Sequence, residues 1–285
     1  MQRLLNKGAV QMARRVVFIT GASSGMGYAA TELFAERGWE VYAGARRVEK
    51  IPTGDTIHAM SLDVTSSESI KKFTHDALED ANGIDVLINN AGYGEYGPLE
   101  EVSMENAHKQ VDTNLFGAAE ITKLVLPTMR SQQAGRIVNI SSIGGEMYSP
   151  LGGWYYVTKH ALNVWSDTLD TEVSQFGIRS VIVEPGGTQS SWMEIAMANA
   201  KKNLKEDSPY AKIVDNTTRL FTRMGNSSNA TSDDLAEVFY KAATDPKPKY
   251  RYYHSIGDHL VGHIARVHQH LFKGVMTYAI NKLDK

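Results

Sequence analysis

The feature that most constrains this chain is a glycine-rich turn that joins an apolar segment to a helical one. The apolar run Val16–Thr20 predicts a buried strand. Gly21, Gly25 and Gly27 follow it, and a helical pattern begins near Met26. Glycines let the backbone of such a turn approach a phosphate, and the helix N-terminus offers amide donors. The turn predicts a dinucleotide phosphate site formed by Gly21, Ser23, Ser24, Gly25, Met26 and Gly27.

Strand-like and helix-like segments alternate through most of the 285 residues. Strands are predicted at 16–20, 40–44, 56–62, 84–89, 136–140, 179–184 and 249–254. Helices are predicted at 26–37, 66–80, 104–130, 155–176 and 233–244. Short links in this alternation indicate an α/β fold, namely a single-domain Rossmann-like doubly wound parallel sheet of about seven strands with helices on both faces. We expect the domain to cover residues 13–285, after an N-terminal extension at 1–12.

Composition excludes several classes of function. A net charge of −2 argues against a nucleic-acid binder, which is usually basic. The chain has no cysteine, so disulfide and thiolate chemistry are excluded, and a cytoplasmic location is expected. No apolar run approaches the ~18 residues of a membrane-spanning helix. His259 and His263 stand four residues apart, but no carboxylate completes a ligand set, so no metal site is predicted.

The end of the second predicted strand indicates which dinucleotide is bound. Folds that prefer NAD usually place an acid there to hold the ribose 2′-hydroxyl. This chain has Ala45 followed by Arg46 and Arg47. Guanidinium groups suit a 2′-phosphate, so the sequence predicts NADP(H), with Arg46 as the main contact and Arg47 as a helper. The alternative is a pair of solvated surface arginines.

A second group of residues is suited to moving a proton to or from an alcohol oxygen. Tyr155 and Lys159 stand four residues apart and share one helical face. We expect the ammonium to lower the pKa of the phenol by favouring its charged form. Ser142 can stabilise charge on the substrate oxygen. Asn114 is a polar residue within an apolar helical stretch, and we expect a water chain to join it to Lys159.

These motifs resemble those of the short-chain dehydrogenase/reductase family, in its single-domain core branch, from Arg15 to about Tyr253. The resemblance implies a catalytic tetrad of Asn114, Ser142, Tyr155 and Lys159. It also implies cofactor contacts from Asp63, Val64, Asn90, Ala91, Gly92, Tyr155, Lys159, Pro185, Gly186, Thr188 and Ser190. The family more often has threonine where Ser190 stands. Several stretches are similar to steroid- and retinol-dehydrogenase-like members, and pairing into a homodimer or homotetramer is implied.

The substrate is predicted from apolar residues near these motifs. Residues 188–229 are interpreted as a long loop that closes over the nicotinamide, here called the lid segment. The candidate substrate contacts are Tyr93, Ser142, Ile143, Tyr148, Trp154, Tyr155 and Trp192. They include no lysine or arginine, which favours a bulky hydrophobic ketone or aldehyde. The alternative is that many of them only pack the lid segment onto the domain.

Other functions stay open at this point. One is a catalytically silent NADP-binding regulator or sensor, which the filled tetrad disfavours. Others are an NAD-dependent alcohol dehydrogenase and an enzyme of dehydration or epimerisation, the last disfavoured by the glycine spacing. The C-terminal tail at about 258–285 is predicted to form one or two amphipathic helices. Their apolar residues are expected to contact the domain or another subunit, with contact to a membrane surface as the alternative.

Overall fold

The computed structural model describes residues 15–189, 192–227 and 230–282 of the chain. The extension at 1–12 and Ser190 lie outside the described residues. Seven strands form one parallel sheet, in the order β3-β2-β1-β4-β5-β6-β7. Their bounds are β1 Val16–Thr20, β2 Glu40–Ala45, β3 Ile57–Ser61, β4 Val86–Asn89, β5 Gly135–Ile140, β6 Ile178–Val183 and β7 Arg251–Tyr252. The predicted doubly wound fold is confirmed, and strand order reverses between β1 and β4.

Ten helices flank this sheet or extend from its ends within the described residues. Their bounds are α1 Gly25–Glu36, α2 Ser67–Ala81, α3 Met104–Val111, α4 Gly117–Gln132, α5 Gly153–Val173, α6 Trp192–Lys202, α7 Ala211–Ser227, α8 Ser232–Thr244, α9 Ile256–Val267 and α10 Gln269–Asn281. The last two helices, α9 and α10, form the tail as far as it is described.

Alternation along β1 explains why both faces of the sheet are covered. Val17 and Ile19 face one layer, where they pack with α1 and α8 residues such as Phe34 and Phe239. Phe18 faces the other layer, which α2, α4 and α5 cover. Successive side chains of a strand point to opposite faces, so an uninterrupted apolar strand needs helices on both. The carboxyl ends of the strands are left for the candidate site.

Two predicted elements differ from the structure. The helix predicted at 104–130 is interrupted by a π-helical turn at Asp112–Phe116, between α3 and α4. The lid segment at 188–229 is not a long loop, because α6 and α7 occupy most of it. The helices were not predicted because polar residues are mixed with the apolar ones throughout the segment. In α6 the apolar residues Ala196, Met197 and Ala200 are nevertheless buried on one face. The segment is therefore a helical cover in its described part.

Candidate active site

The glycine turn after β1 leaves one side open to a ligand. Gly21 and Gly25 have φ values of +72° and +56°, a region that favours glycine. A Cβ atom on Gly27 would lie 2.4 Å from the carbonyl oxygen of Gly21, so the turn is closely packed there. A Cβ atom on Gly25 would meet nothing within 4 Å. The exposed side of the turn and the N-terminus of α1 therefore fit a dinucleotide phosphate.

The N-terminus of α1 has its amide groups available for such an anion. Ser24 precedes the helix, but its side chain makes no capping hydrogen bond, and no acidic residue lies in the first turn. Ser24 is exposed, while Ser23 and Met26 are half-buried. The positive end of the helix dipole is thus not neutralised by the helix itself.

Asn90 holds the glycine turn from behind. Its side-chain amide donates to the carbonyl oxygens of Thr20, at 2.9 Å, and Gly21, at 3.3 Å. The backbone amides of Asn90 and Ala91 both donate to the hydroxyl oxygen of Thr20. Asn90 was predicted to line the cofactor. Its hydrogen bonds to Thr20 and Gly21 give its side chain a further role, because they stabilise the conformation of the glycine turn.

The opposite end of the predicted cofactor site lies at the ends of β2 and β3. Burial acts to raise the pKa of Asp63, but hydrogen bonds from Thr65 and the nearby charges of Arg46 and Lys109 outweigh it and lower that pKa. Arg46 is exposed, and its charge lies near enough to Asp63 to help lower the pKa of that carboxyl. Arg47 is also exposed, and Val64 packs against Gly117 at the start of α4.

Asn114 lies in the π-helical turn and is buried. Its side-chain oxygen accepts a 3.0 Å hydrogen bond from the amide of Tyr93, and its nitrogen donates to the carbonyl of Tyr93 at 2.9 Å. The same nitrogen donates to the hydroxyl of Thr158 at 3.2 Å. A Cβ atom on Gly92 would lie 3.2 Å from the Asn114 side-chain oxygen and 3.7 Å from Lys159 Nζ. The water chain between Asn114 and Lys159 stays a prediction.

The α5 helix brings Tyr155 and Lys159 to the carboxyl end of β5, where Ser142 follows the strand. Lys159 Nζ donates to the carbonyl of Ile140 at 2.8 Å and lies 5.8 Å from the centre of the Tyr155 ring. Ser142 Oγ donates to the carbonyl of Pro185 at 3.4 Å and accepts from the amide of Gly144. The three predicted side chains are therefore brought together.

Burial dominates the protonation of this group. It raises the pKa of Tyr155 above its ordinary value, and the Ser142 hydroxyl opposes this by hydrogen bonding. Burial also lowers the pKa of Lys159 to about 8. The pKa of Tyr155 is therefore raised rather than lowered in the chain as described, because the loss of solvation outweighs the hydrogen bond from Ser142. Tyr155 holds its proton at neutral pH.

An aromatic cluster covers Tyr155. The ring of Trp192, at the start of α6, lies 4.9 Å from that of Tyr155. The ring of Tyr96 lies 5.8 Å from it, and the hydroxyl of Tyr96 donates to that of Tyr156 at 3.2 Å. Tyr155 is only 6% exposed as a result. Buried neighbours from α6 and α7 complete an apolar environment that includes Met197, Ala200, Val214 and Phe221.

Hydrogen bonds fasten α6 over this cluster. Asn199 donates to the carbonyl of Gly94 at 3.0 Å. Asn203 donates to the carbonyl of Tyr96 at 2.8 Å and to the carboxylate of Glu95 at 2.7 Å. The helix is thus attached to the same loop after β4 that bonds to Asn114.

Four predicted substrate residues do not contact Tyr155 in this way. Ile143 packs in a separate cluster with residues of α9 and α10, and Tyr148 stacks edge-on with Phe272 at 5.5 Å. Trp154 is half-buried at the start of α5, with no ring contact recorded among the described residues. The Tyr93 hydroxyl is buried, and its pKa is raised to about 12 by burial and by Glu95. For these four residues the role of substrate contact stays a prediction.

The loop after β6 also takes its predicted place beside the site. The amide of Ile143 donates to the carbonyl of Pro185 at 3.0 Å, which ties this loop to residues 141–145 after β5, here called the serine loop. A Cβ atom on Gly186 would lie 1.9 Å from a carboxylate oxygen of Asp258 in α9. The Thr188 hydroxyl donates to the carbonyl of Gly186 at 3.4 Å.

A buried charge cluster lies behind the serine loop, and the sequence did not indicate it. Glu184, directly after β6, accepts a 2.7 Å hydrogen bond from Asn163 and lies 3.3 Å from Arg251 Nε. Glu146, directly after the serine loop, pairs with Arg266 at 3.1 Å. Burial, with Glu146 nearby, raises the pKa of Glu184 to about 7, although Tyr253, Arg251 and Asn163 oppose the rise. The sequence likewise gave no indication of Tyr156, Asn199 and Asn203, because no local spacing marks them.

Comparisons with known proteins agree with this arrangement. Residues 15–201 match the model of the short chain dehydrogenase family, so the chain belongs to that family. An uncharacterized oxidoreductase of Schizosaccharomyces pombe is 37% identical over 207 residues, which are 73% of this chain and 84% of that protein. A 3-ketodihydrosphingosine reductase of Bacteroides thetaiotaomicron is 38% identical over 175 residues, 61% of this chain and 64% of that protein.

The fold has a close match among solved structures. A short-chain dehydrogenase from Streptomyces avermitilis superposes with a TM-score of 0.79 at 32% identity, covering 92% of this chain and 96% of the other. The chain is thus an oxidoreductase of the short-chain dehydrogenase type.

Proposed function

We propose that this protein is an NADP(H)-dependent reductase of bulky hydrophobic ketones or aldehydes, with Tyr155 as the proton donor. The observation that carries the proposal is the burial of Tyr155 beneath Trp192 and Tyr96 in an apolar cluster. A carbonyl substrate has to replace some of these contacts to reach the phenol. An apolar substrate can do so without leaving a charge unpaired.

The protonation of the site supports the direction of reduction. Tyr155 holds its proton because burial raises its pKa, so it is prepared to give that proton to a carbonyl oxygen. Ser142 lies at hydrogen-bonding range of the phenol and would donate to the same substrate oxygen. Lys159, with a pKa of about 8, can pass a proton towards the phenol. A nicotinamide dinucleotide bound along the strand ends would supply the hydride.

Contacts around Arg46 support NADP(H) over NAD(H). Arg46 is exposed beside Asp63 at the end of the site where the adenine ribose would lie, and it is free to meet a 2′-phosphate. β2 ends in Ala45, so no carboxylate at that strand end competes for the position. Charge-assisted pairing of guanidinium with phosphate would then favour the phosphorylated cofactor.

The similarity to a 3-ketodihydrosphingosine reductase also supports an apolar ketone, although that protein shares only part of its length with this chain. We infer further that the protein works as a homodimer or homotetramer in the cytoplasm, as the family resemblance and the lack of cysteine lead us to expect. Light scattering of the purified protein would measure its molar mass and so its oligomeric state.

A rate comparison across matched carbonyls tests the substrate. The panel contains a large apolar ketone, an aryl aldehyde, a small sugar aldehyde and an anionic keto acid, each assayed with NADPH and with NADH. The highest kcat/KM is expected for the large apolar ketone with NADPH. A higher kcat/KM for the anionic or sugar substrate than for every large apolar one would disprove the substrate class. No turnover of any carbonyl or alcohol would favour a binding protein instead.

A further inference from the structure

The face of α5 that carries Tyr155 and Lys159 continues with a third polar residue. Asn163 stands four residues beyond Lys159 and eight beyond Tyr155, so the three side chains lie along the same side of the helix. The side chain of Asn163 is buried, with 4% of its residue surface exposed. A buried amide needs hydrogen-bond partners, and those of Asn163 connect it to the candidate active site.

The amide of Asn163 joins two loops. Its nitrogen donates to the carbonyl of Gly145 at 3.2 Å and to the carboxyl oxygen of Glu184 at 2.7 Å. Gly145 ends the short helical turn that follows Ser142 in the serine loop, whereas Glu184 directly precedes Pro185. Because a carbonyl can only accept, the amide nitrogen must face Gly145. Asn163 therefore bridges the serine loop and the loop after β6.

The same two loops also meet at Ser142. The Ser142 hydroxyl donates to the carbonyl of Pro185 at 3.4 Å, and the amide of Ile143 donates to that carbonyl at 3.0 Å. These bonds and the Asn163 bridge form a closed ring of contacts, which runs along the serine loop and returns through Pro185. A ring of this kind restricts the hydroxyl more than one attachment does, since a shift of either loop has to break a second bond.

The serine loop also lies directly against α5. A Cβ atom on Gly144 would lie 3.2 Å from a ring carbon of Tyr155, and one on Gly145 would lie 2.4 Å from the amide nitrogen of Asn163. The two glycines thus let the loop approach the helix closely, between the tyrosine and the asparagine. Lys159 bonds to the carbonyl of the last residue of β5 at 2.8 Å, just before the loop. The helix that carries Tyr155 therefore holds the loop at both of its ends.

Glu184 is a fixed acceptor for this bridge. It is fully buried, and its carboxyl oxygen lies 3.3 Å from Arg251 Nε in β7. Arg251 also pairs with Asp167 of α5 at 2.6 Å. Hydrogen bonds that involve a charged group are stronger than neutral ones, and a buried setting strengthens them further. The residue that holds Asn163 is therefore itself held by a neighbouring strand.

We propose that Asn163 is a positioning residue of this reductase, which keeps the Ser142 hydroxyl in place beside Tyr155 through the serine loop. A hydrogen-bond donor stabilises charge on a substrate oxygen only when it is already placed for it, and a shift of about 1 Å can cost about 100-fold in rate. The inference rests on the proposed roles of Ser142 and Tyr155. It does not depend on which carbonyl is reduced.

Ser166 offers a matched comparison for a role in the fold alone. It is also a buried polar residue of α5, and it stands three residues beyond Asn163. Its hydroxyl accepts from the side chain of Asn139 in β5 at 2.9 Å and shares a 2.9 Å hydrogen bond with Ser180 in β6. Ser166 thus joins α5 to the same two strands as Asn163 does, but within the sheet rather than at the serine loop.

A double-mutant cycle with Ser142→Ala tests the proposal. The rates are measured with NADPH and the carbonyl that the wild type reduces fastest, and slow variants are followed in single turnovers. Asn163→Ala should lower kcat by about 10–100-fold and leave NADPH affinity within a few-fold, since the glycine turn lies outside the ring of contacts. In the Ser142→Ala background the same substitution should lower kcat little further, because the hydroxyl that it positions is gone.

A second variant covers poor folding of the first. Asn163→Leu fills the space of the amide without donating a hydrogen bond, and it should repeat both results. Circular dichroism and NADPH binding show which variants are folded. Ser166→Ala should lower the free energy of unfolding in urea but keep kcat within a few-fold in both backgrounds.

The outcomes separate this inference from the proposed function. Equal losses of kcat from Asn163→Ala or Asn163→Leu in the wild-type and Ser142→Ala backgrounds would overturn the positioning role. A loss in Ser166→Ala that is as large and as dependent on Ser142 would overturn it too. An unchanged kcat in Ser142→Ala itself would instead overturn the proposed role of that hydroxyl, and the inference with it.

Discussion

Replacing Glu184 with glutamine should change how the stability of this protein depends on pH. The carboxyl has a pKa of about 7 in the folded chain, mainly because burial disfavours its charge, against an ordinary value of 4.5. The unfolded chain therefore releases this proton at a lower pH than the folded chain does. The contribution of the group to stability is complete below about pH 4.5 and is lost as the pH rises to about 7. The gap between the two pKa values corresponds to about 3 kcal/mol.

Urea unfolding followed by tryptophan fluorescence measures this contribution. Glu184→Gln removes the titration, and the favourable effect of Arg251 on the charged carboxylate is already contained in the pKa of about 7. The free energy of unfolding of the variant, relative to wild type, should rise by about 2–3 kcal/mol between about pH 5 and about pH 8. Glu172→Gln, which changes an exposed carboxylate at the end of α5, should show little such rise. Parallel pH profiles for wild type and Glu184→Gln would refute the reasoning.

Three further changes address the site. Tyr155→Phe should lower kcat by about 10²–10⁴-fold and leave NADPH affinity within a few-fold, by stopped-flow turnover and fluorescence titration; retention of a tenth of the rate would contradict it. Arg46→Ala should weaken NADPH binding by about 10–100-fold and spare NADH, with Arg47→Ala as a milder comparison; equal effects on both cofactors would exclude a 2′-phosphate contact. Trp192→Ala should raise KM for a large apolar ketone by roughly 2–10-fold with little change for a small one, whereas a uniform change would mean that the ring only packs the cover.

The strand–turn–helix order and the site at the strand ends could be predicted from sequence, because both depend on local patterns. Apolar runs such as Val16–Thr20 predict buried strands, and parallel strands bring their following residues to one edge. The spacing of Tyr155 and Lys159 predicted a shared helical face, which α5 has. The fold and the grouping of Ser142, Tyr155 and Lys159 follow from such short-range information.

Features that depend on distant packing could not be predicted in this way. The raised pKa of Tyr155 results from burial under α6, a helix that mixed polar and apolar residues concealed. Glu184 and Glu146 lie far apart along the chain, so only the folded structure shows that they share one buried cluster with Arg251. The backbone of Tyr93 bonds to the Asn114 side chain, a contact between residues 21 positions apart that no local spacing indicates.

The position of the Asn114 side chain depends on the number of residues in the π-helical turn Asp112–Phe116 as well as on their identity. Such a turn holds one residue more than an α-helical turn, and here the amide of Gly117 bonds to the carbonyl of Asp112. Removing a single residue within it would favour a continuous α-helix and abolish the wide turn that positions Asn114. The amide of Asn114 would then lose its alignment with Tyr93 even though every remaining side chain was unchanged. Point substitutions would not expose this dependence, whereas a one-residue deletion would.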